Sequence, residues 1–131
     1  MRRADWQLRL AAFVQTRARM PFEWGHNDCG LFTVAAVRAM TGVDAAAHLR
    51  GYTTALGAAR VVERAGGMRQ LAIEAWGEPV PPALASVGDP VLMLNQGREL
   101  LAICNGTTAI GVGPDGLAVM SMTDALAAWK I

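Results

Sequence analysis

The spacing of apolar residues divides the chain into a helical half, about residues 1–77, and a strand half, about residues 88–131. In the first half, apolar residues recur at the three- and four-residue intervals of amphipathic helices. The predicted helices are Asp5–Arg19, Cys29–Met40, a short one over Asp44–Leu49, one capped by Thr53 or Thr54 and ending at Ala65, and Met68–Trp76. Gly42, Gly66 and Gly77 are placed to end three of them, because glycine readily takes the left-handed conformation after a helix.

From Gly88 onwards the pattern changes to short apolar runs separated by turn-forming residues. The runs are Val91–Leu94, Leu100–Cys104, Ala109–Val112 and Leu117–Met120, and the turns between them contain Gly97, Gly106 and Gly116. Such a series predicts an antiparallel meander, after which Thr123 and Asp124 are expected to cap a last short helix ending at Trp129. Helices followed by a small antiparallel sheet give an α+β fold, and the length suits a single domain over residues 1–131.

Composition and charge exclude several classes of function. The net charge is +1, which gives no basis for binding nucleic acid or an anionic membrane surface. No apolar run approaches the roughly 20 residues that a membrane-spanning helix needs. The Arg2-Arg3 pair is not followed by an apolar signal segment, because Arg9, Arg17 and Arg19 interrupt it. We therefore expect no membrane insertion, and a protein that stays in a cytoplasm or leaves it inside an assembly.

Cys29 is the residue with the clearest chemical potential. Asn27 and Asp28 are favourable N-cap residues, so Cys29 is predicted in the first turn of a helix. The helix dipole there favours an anion, and the pKa of the thiol is expected to fall towards the reactive thiolate. The alternative interpretation is that Cys29 is a small buried apolar residue at a helix start.

The residues around Cys29 resemble the nucleophile motif of the NlpC-type cell-wall peptidases, which are papain-like thiol hydrolases of bacteria and phage tails. The resemblance rests on the Trp24-Gly25 pair and the run Asp28-Cys29-Gly30-Leu31-Phe32. The stretch from Phe22 to Gly42, with Asp44 and Gly51-Tyr52, is more similar still to a branch of small phage tail-associated proteins. The resemblance covers roughly residues 20–122. It implies a papain-like fold in which a central cysteine-bearing helix packs on the sheet.

Comparison with the same family pattern shows that this chain lacks the usual catalytic histidine. In the NlpC-type pattern a Gly-Asp pair opens the first strand, matched here by Gly88-Asp89, and a histidine begins the second strand. Leu100 stands at that position, and no histidine follows His48. His26, three residues before Cys29, is the remaining candidate for a general base. The candidate site is therefore Cys29 and His26 for catalysis, with Trp24, Asn27 and Asp28 for binding.

Two functions are consistent with these features, and a third is supported only by the small size of the chain. The first is a structural protein of a phage tail tip or baseplate that keeps an NlpC-like fold without its usual catalytic histidine. It would bind other tail proteins, with peptidoglycan as a further candidate partner, and reside in the virion after assembly in the host cytoplasm. The second is an active thiol peptidase or amidase on peptidoglycan peptides, with Cys29 as nucleophile. The third is a regulatory or binding module of a prophage.

No cofactor is expected for any of these functions. Cys29, Cys104, His26 and His48 supply four possible zinc ligands, but His48 and Cys104 lack the closely spaced partner typical of structural zinc sites. We therefore expect no metal. Two cysteines are also too few for a disulfide framework.

Overall fold

The computed structural model describes residues 1–131 and contains four α-helices and one five-stranded antiparallel sheet. The helices are α1 (Trp6–Arg17), α2 (Cys29–Thr41), α3 (Ala55–Ala65) and α4 (Met68–Trp76). The strands are β1 (Pro90–Asn95), β2 (Arg98–Cys104), β3 (Thr108–Gly113), β4 (Gly116–Ser121) and β5 (Ala125–Ala128). The predicted α+β class and the division into a helical and a strand half are confirmed. None of the four helices is long and apolar enough to cross a membrane.

The sheet has the strand order β4-β3-β2-β1-β5. The first four strands form the predicted meander, and β5 returns to pair with β1 at the opposite edge, with Leu92 facing Ala127. The β2–β3 pairing covers only Ile103 with Ile110 and Cys104 with Ala109. The amino-terminal half of β2 is therefore not paired with β3, which leaves its backbone N–H and C=O groups on that side without a strand partner.

The helices cover one face of the sheet. Phe32 and Met40 of α2 are fully buried in a cluster with Leu10 of α1 and Ile103 of β2. The Phe13 ring of α1 packs on Phe32 with the ring centroids 5.3 Å apart. The other face of the sheet is apolar as well, and its residues pack under the chain segment that joins α4 to β1. These residues are Val91, Met93, Ala102, Cys104 and Ala128, with Val80 and Ala85 above them.

The predicted helix ends are confirmed where a local signal defines them. The Asp28 side chain caps α2 by accepting a hydrogen bond from the Leu31 backbone N–H. Gly42 ends α2 in the left-handed conformation, with φ of 83°. Thr54, one of the two predicted caps, accepts a hydrogen bond from the Gly57 N–H at the start of α3.

Two predicted helices are wrong. Asp44–Leu49 forms only turns, because Asp44 accepts a hydrogen bond from the Ala46 N–H two residues on and also binds Arg50. The last predicted helix is a 3₁₀ turn, Met122–Asp124, followed by β5. Pairing of this alanine-rich segment with β1 overrides its helix propensity, and the buried Trp129 beyond it donates its indole N–H to the Gly77 carbonyl.

A buried carboxylate links segments near both ends of the chain. Asp89 is fully buried, and its oxygens bind Arg2 at 2.7 Å and Lys130 at 2.6 Å. The same carboxylate accepts a hydrogen bond from the Ser86 N–H at 2.9 Å. The Gly88-Asp89 pair thus fixes the approach to β1, and Asp89 has a structural role.

Candidate functional site

The loop before α2 is a tight turn that depends on Gly25. Glu23 pairs with Asn27 in an isolated antiparallel bridge, and Gly25 lies between them with φ of 78°. A Cβ atom at Gly25 would collide with the backbone carbonyl oxygen of Tyr52. Both the left-handed conformation and the close approach therefore require glycine at this position.

Asn27 is buried and ties this loop to the end of α1. Its side-chain oxygen accepts a hydrogen bond from Arg17 at 2.8 Å. Its amide nitrogen donates to the carbonyl oxygens of Met20 and Pro21 at 3.1 and 3.0 Å. These bonds use both ends of the amide, so the side chain holds the loop in place rather than facing a ligand.

Asp28 is buried next to Cys29 and accepts three hydrogen bonds. They come from the backbone N–H of Leu31 at 2.9 Å, the backbone N–H of Gly25 at 3.0 Å and the Tyr52 hydroxyl at 2.5 Å. Burial and the bond to Asp28 both raise the pKa of Tyr52. The phenol therefore stays protonated and acts as a donor to the carboxylate.

Cys29 is the first residue of α2, as predicted, but the expected fall in its thiol pKa is wrong. Burial raises the pKa of the half-buried Cys29 thiol above its usual 9.0, and the neighbouring Asp28 carboxylate raises it further. Hydrogen bonding from the Leu101, Gly30 and Cys29 N–H groups lowers this pKa without offsetting the increase. The loss of water around the sulfur outweighs the helix-terminus effect.

No histidine is hydrogen-bonded to this thiol. The His26 side chain is exposed, and its only hydrogen bond is from its backbone N–H to the Glu23 carbonyl. The strand beside the sulfur is β2, whose Leu101 backbone N–H lowers the pKa of the thiol. Leu100, which the resemblance places at the position of the catalytic base, packs on the face of the sheet away from the helices. Leu101 lies on the helix-facing side, so the β2 side chain that faces the helices at this point is apolar.

Trp24 presents the exposed aromatic surface of the loop. Its side chain is 39% exposed, and its ring meets the Phe22 ring edge-on at a centroid distance of 4.7 Å. It is the predicted binding residue whose surface is accessible to another molecule. Neither Cys29 nor Cys104 forms a disulfide, and no three ligand-type side chains come together as a possible metal site.

The complete chain, residues 1–131, matches the family model described as Domain of unknown function (DUF6950). The chain belongs to this family. No curated protein matches it.

Two residues of the site in this DUF6950 chain could not be predicted from the sequence. Tyr52 follows Gly51 in the stretch that carries the resemblance, but its bond to Asp28 joins positions 24 residues apart and has no local signal. Leu101 affects the thiol through its backbone N–H, a group that every residue except proline carries. Only the packing of β2 against the start of α2 reveals it.

Proposed function

We propose that this protein is a structural component of a phage or prophage tail tip or baseplate. In this proposal it keeps a papain-like NlpC-type fold without proficient hydrolase activity. The observation that carries the proposal is the surroundings of the Cys29 thiol. On its helix-facing side strand β2 has the apolar Leu101, whereas Leu100 faces away from the helices. The His26 side chain is exposed, so the thiol has no hydrogen-bonded general base. The phage-tail assignment follows from the resemblance of the Cys29 segment.

The size of the expected catalytic deficit supports this choice. A positioned acid–base group typically contributes ~10²- to 10⁴-fold in rate. Because burial raises the pKa of the Cys29 thiol, the thiol stays predominantly protonated at pH 7. A hydrolase with both defects would be very slow, whereas a scaffold loses nothing from either.

The polar residues of the site also fit a scaffold. Asn27 and Asp28 are fully engaged in bonds within the protein, and these bonds define the loop, the start of α2 and the position of Tyr52. They remain useful to the fold when the catalytic base is gone. The exposed Trp24 would then face a tail protein or peptidoglycan.

An active thiol peptidase or amidase is the second candidate, favoured by the backbone N–H groups that lower the pKa of the Cys29 thiol. The backbone N–H groups of Cys29 and Leu101 are donors of the kind that stabilise an oxyanion. For this function His26 would have to turn from solvent to Cys29 and act as the base. Selective reaction of Cys29 at neutral pH would favour it.

Mass spectrometry of virions purified from an induced lysogen carrying this gene tests the structural assignment. Density-gradient virions should contain the chain at a fixed ratio to the other tail proteins, and tail-less particles from the same lysate should lack it. An abundant host protein measures carry-over. If the chain were no more enriched in the virion fraction than the abundant host protein, the assignment to the tail would be rejected.

A further inference from the structure

A concave surface whose lining does not include Cys29 lies between the loop after α2 and the faces of α3 and α4. This groove, called here the arginine groove, has a volume of about 560 Å³. Its lining includes three arginines, Arg50, Arg60 and Arg64, and one acidic residue, Glu74. The volume is within the range typical of ligand sites, about 300–1,000 Å³.

Two of the three arginines have no acidic partner. Arg60 and Arg64 are exposed on α3, one helical turn apart, and form no salt bridge. Like charges at this spacing repel, which disfavours the helix. Arg50 differs, because Asp44 binds it at 2.7 Å. The groove thus holds two guanidinium groups whose hydrogen-bond donors are available to an added anion.

The floor of the arginine groove is apolar. Val61 and Ala65 of α3 and Leu71 of α4 line it, and all three are partly buried. Glu74 adds one carboxylate that can accept a hydrogen bond from an N–H group. Tyr52 also lines the groove, and its hydroxyl bonds to Asp28 in the loop before α2. Cationic donors above an apolar floor, with one acceptor, match a ligand that has carboxylates, short apolar groups and N–H donors.

We propose that the arginine groove binds an acidic peptide segment of a partner protein, with Arg60 and Arg64 holding its carboxylates. A guanidinium group binds a carboxylate through two parallel hydrogen bonds, which gives the pairing direction as well as strength. Glu74 accepts a backbone N–H of the peptide and repels a ligand with phosphate along its whole length. The chain's net charge of +1 likewise disfavours nucleic acid as the occupant.

This binding goes beyond the proposed function and does not depend on it. Tyr52 lines both the groove and the Cys29 site, but Arg60, Arg64 and Glu74, which contact the peptide, lie outside that site. The chain can therefore bind an acidic segment whether or not it hydrolyses peptidoglycan. Failure of peptide binding would leave the tail assignment untouched, and absence from virions would leave the peptide site untouched.

Fluorescence anisotropy with a labelled peptide of alternating glutamate and alanine tests the proposal. The same labelled peptide with glutamine in place of glutamate is the ligand control. The variant Arg60→Gln/Arg64→Gln removes the two free guanidinium groups. Its matched control is Arg69→Gln/Arg98→Gln, which removes the same charge from two exposed arginines outside the groove. Circular dichroism confirms that both variants are folded.

The acidic peptide should bind the native chain and the control variant equally. The acidic peptide should bind Arg60→Gln/Arg64→Gln more weakly than the native chain by about tenfold or more. The glutamine peptide should bind the native chain more weakly than the acidic peptide does, by a similar factor. Equal affinity for the two peptides, equal loss in both variants, or no binding of the acidic peptide would overturn the proposal. Inorganic phosphate titrated alone gives a further outcome. Saturable phosphate binding that needs Arg60 and Arg64, without peptide binding, would replace the peptide by a small anion.

Discussion

The Tyr52 hydroxyl donates a hydrogen bond to Asp28 Oδ2 at 2.5 Å, across 24 residues of sequence. Asp28 also caps α2 and holds the Gly25 N–H. One buried carboxylate therefore fixes three things: the turn before the helix, the first turn of the helix that carries Cys29, and the loop that carries Tyr52. Because these bonds occupy Asp28, it is not free to orient a catalytic base.

Ionisation of Tyr52 reports directly on this bond, since the chain has a single tyrosine. Its pKa is raised in the folded protein, so the unfolded chain loses this proton first as pH rises. Stability from this group is fully present below the usual pKa of 10.0 and is lost above it. Tyrosinate absorbance should stay absent from the folded chain at pH 10 and appear with alkaline unfolding. The urea-unfolded chain should titrate near pH 10, and the same midpoint in the folded chain would contradict the buried hydrogen bond.

Alkylation of Cys29 tests the state of its thiol. With the Cys104→Ala variant as background, iodoacetamide should react slowly at pH 7, and the rate should rise with a midpoint above 9.0. The cause is burial of the sulfur, with the Asp28 charge adding to it. Free cysteine under the same conditions is the reference. A rate that is already at its plateau at neutral pH would mean a thiolate, and would support the hydrolase.

Alanine at Gly25 should destabilise the protein much more than alanine at Gly97. The two glycines have almost equal φ angles, 78° and 77°, so the conformational cost is similar, about 1–2 kcal/mol. Only at Gly25 does the added Cβ meet backbone, the Tyr52 carbonyl, whereas Gly97 has open space. Urea denaturation should give a loss for Gly25→Ala at least about 2 kcal/mol above that for Gly97→Ala. Equal losses would mean that the loop does not approach Tyr52 as described.

Removal of the Asp89 charge should destabilise the fold by about 2–4 kcal/mol. The Asp89→Asn side chain cannot balance Arg2 and Lys130, and Arg2 is the more enclosed of the two, with its side chain 15% exposed. Asp115→Asn, in the exposed turn between β3 and β4, is the control and should change stability by less than about 0.5 kcal/mol. Thermal and urea unfolding measure both variants. A loss for Asp89→Asn no larger than the control would show that the two ion pairs contribute nothing.

Local signals were sufficient for much of the fold. Caps and glycines define the ends of α2 and α3, and Met68–Trp76 is a helix over the residues that its apolar spacing and Gly77 indicate. The predicted helix at the end of the chain was wrong because alanine favours a helix unless a neighbouring strand pairs with it. The decisive neighbour, β1, lies more than 30 residues earlier in the chain.

The site was less predictable than the fold because its chemistry depends on packing. A helix start lowers a cysteine pKa only if the sulfur keeps its water, and the burial of Cys29 comes from the fold around α2. The sequence could show that no histidine follows His48. It could not show which of Leu100 and Leu101 faces the helices, since a shift of one residue reverses the faces of a strand.

Release of soluble fragments from purified peptidoglycan is the most direct test of the central claim, that the fold is kept without proficient hydrolysis. The native chain and Cys29→Ala should be compared at equal concentration, with a known cell-wall hydrolase as positive control and circular dichroism to confirm folding. We expect neither form to release fragments above the buffer blank. Release by the native chain that disappears in Cys29→Ala would contradict the claim, and loss of that release in His26→Gln would then identify the base.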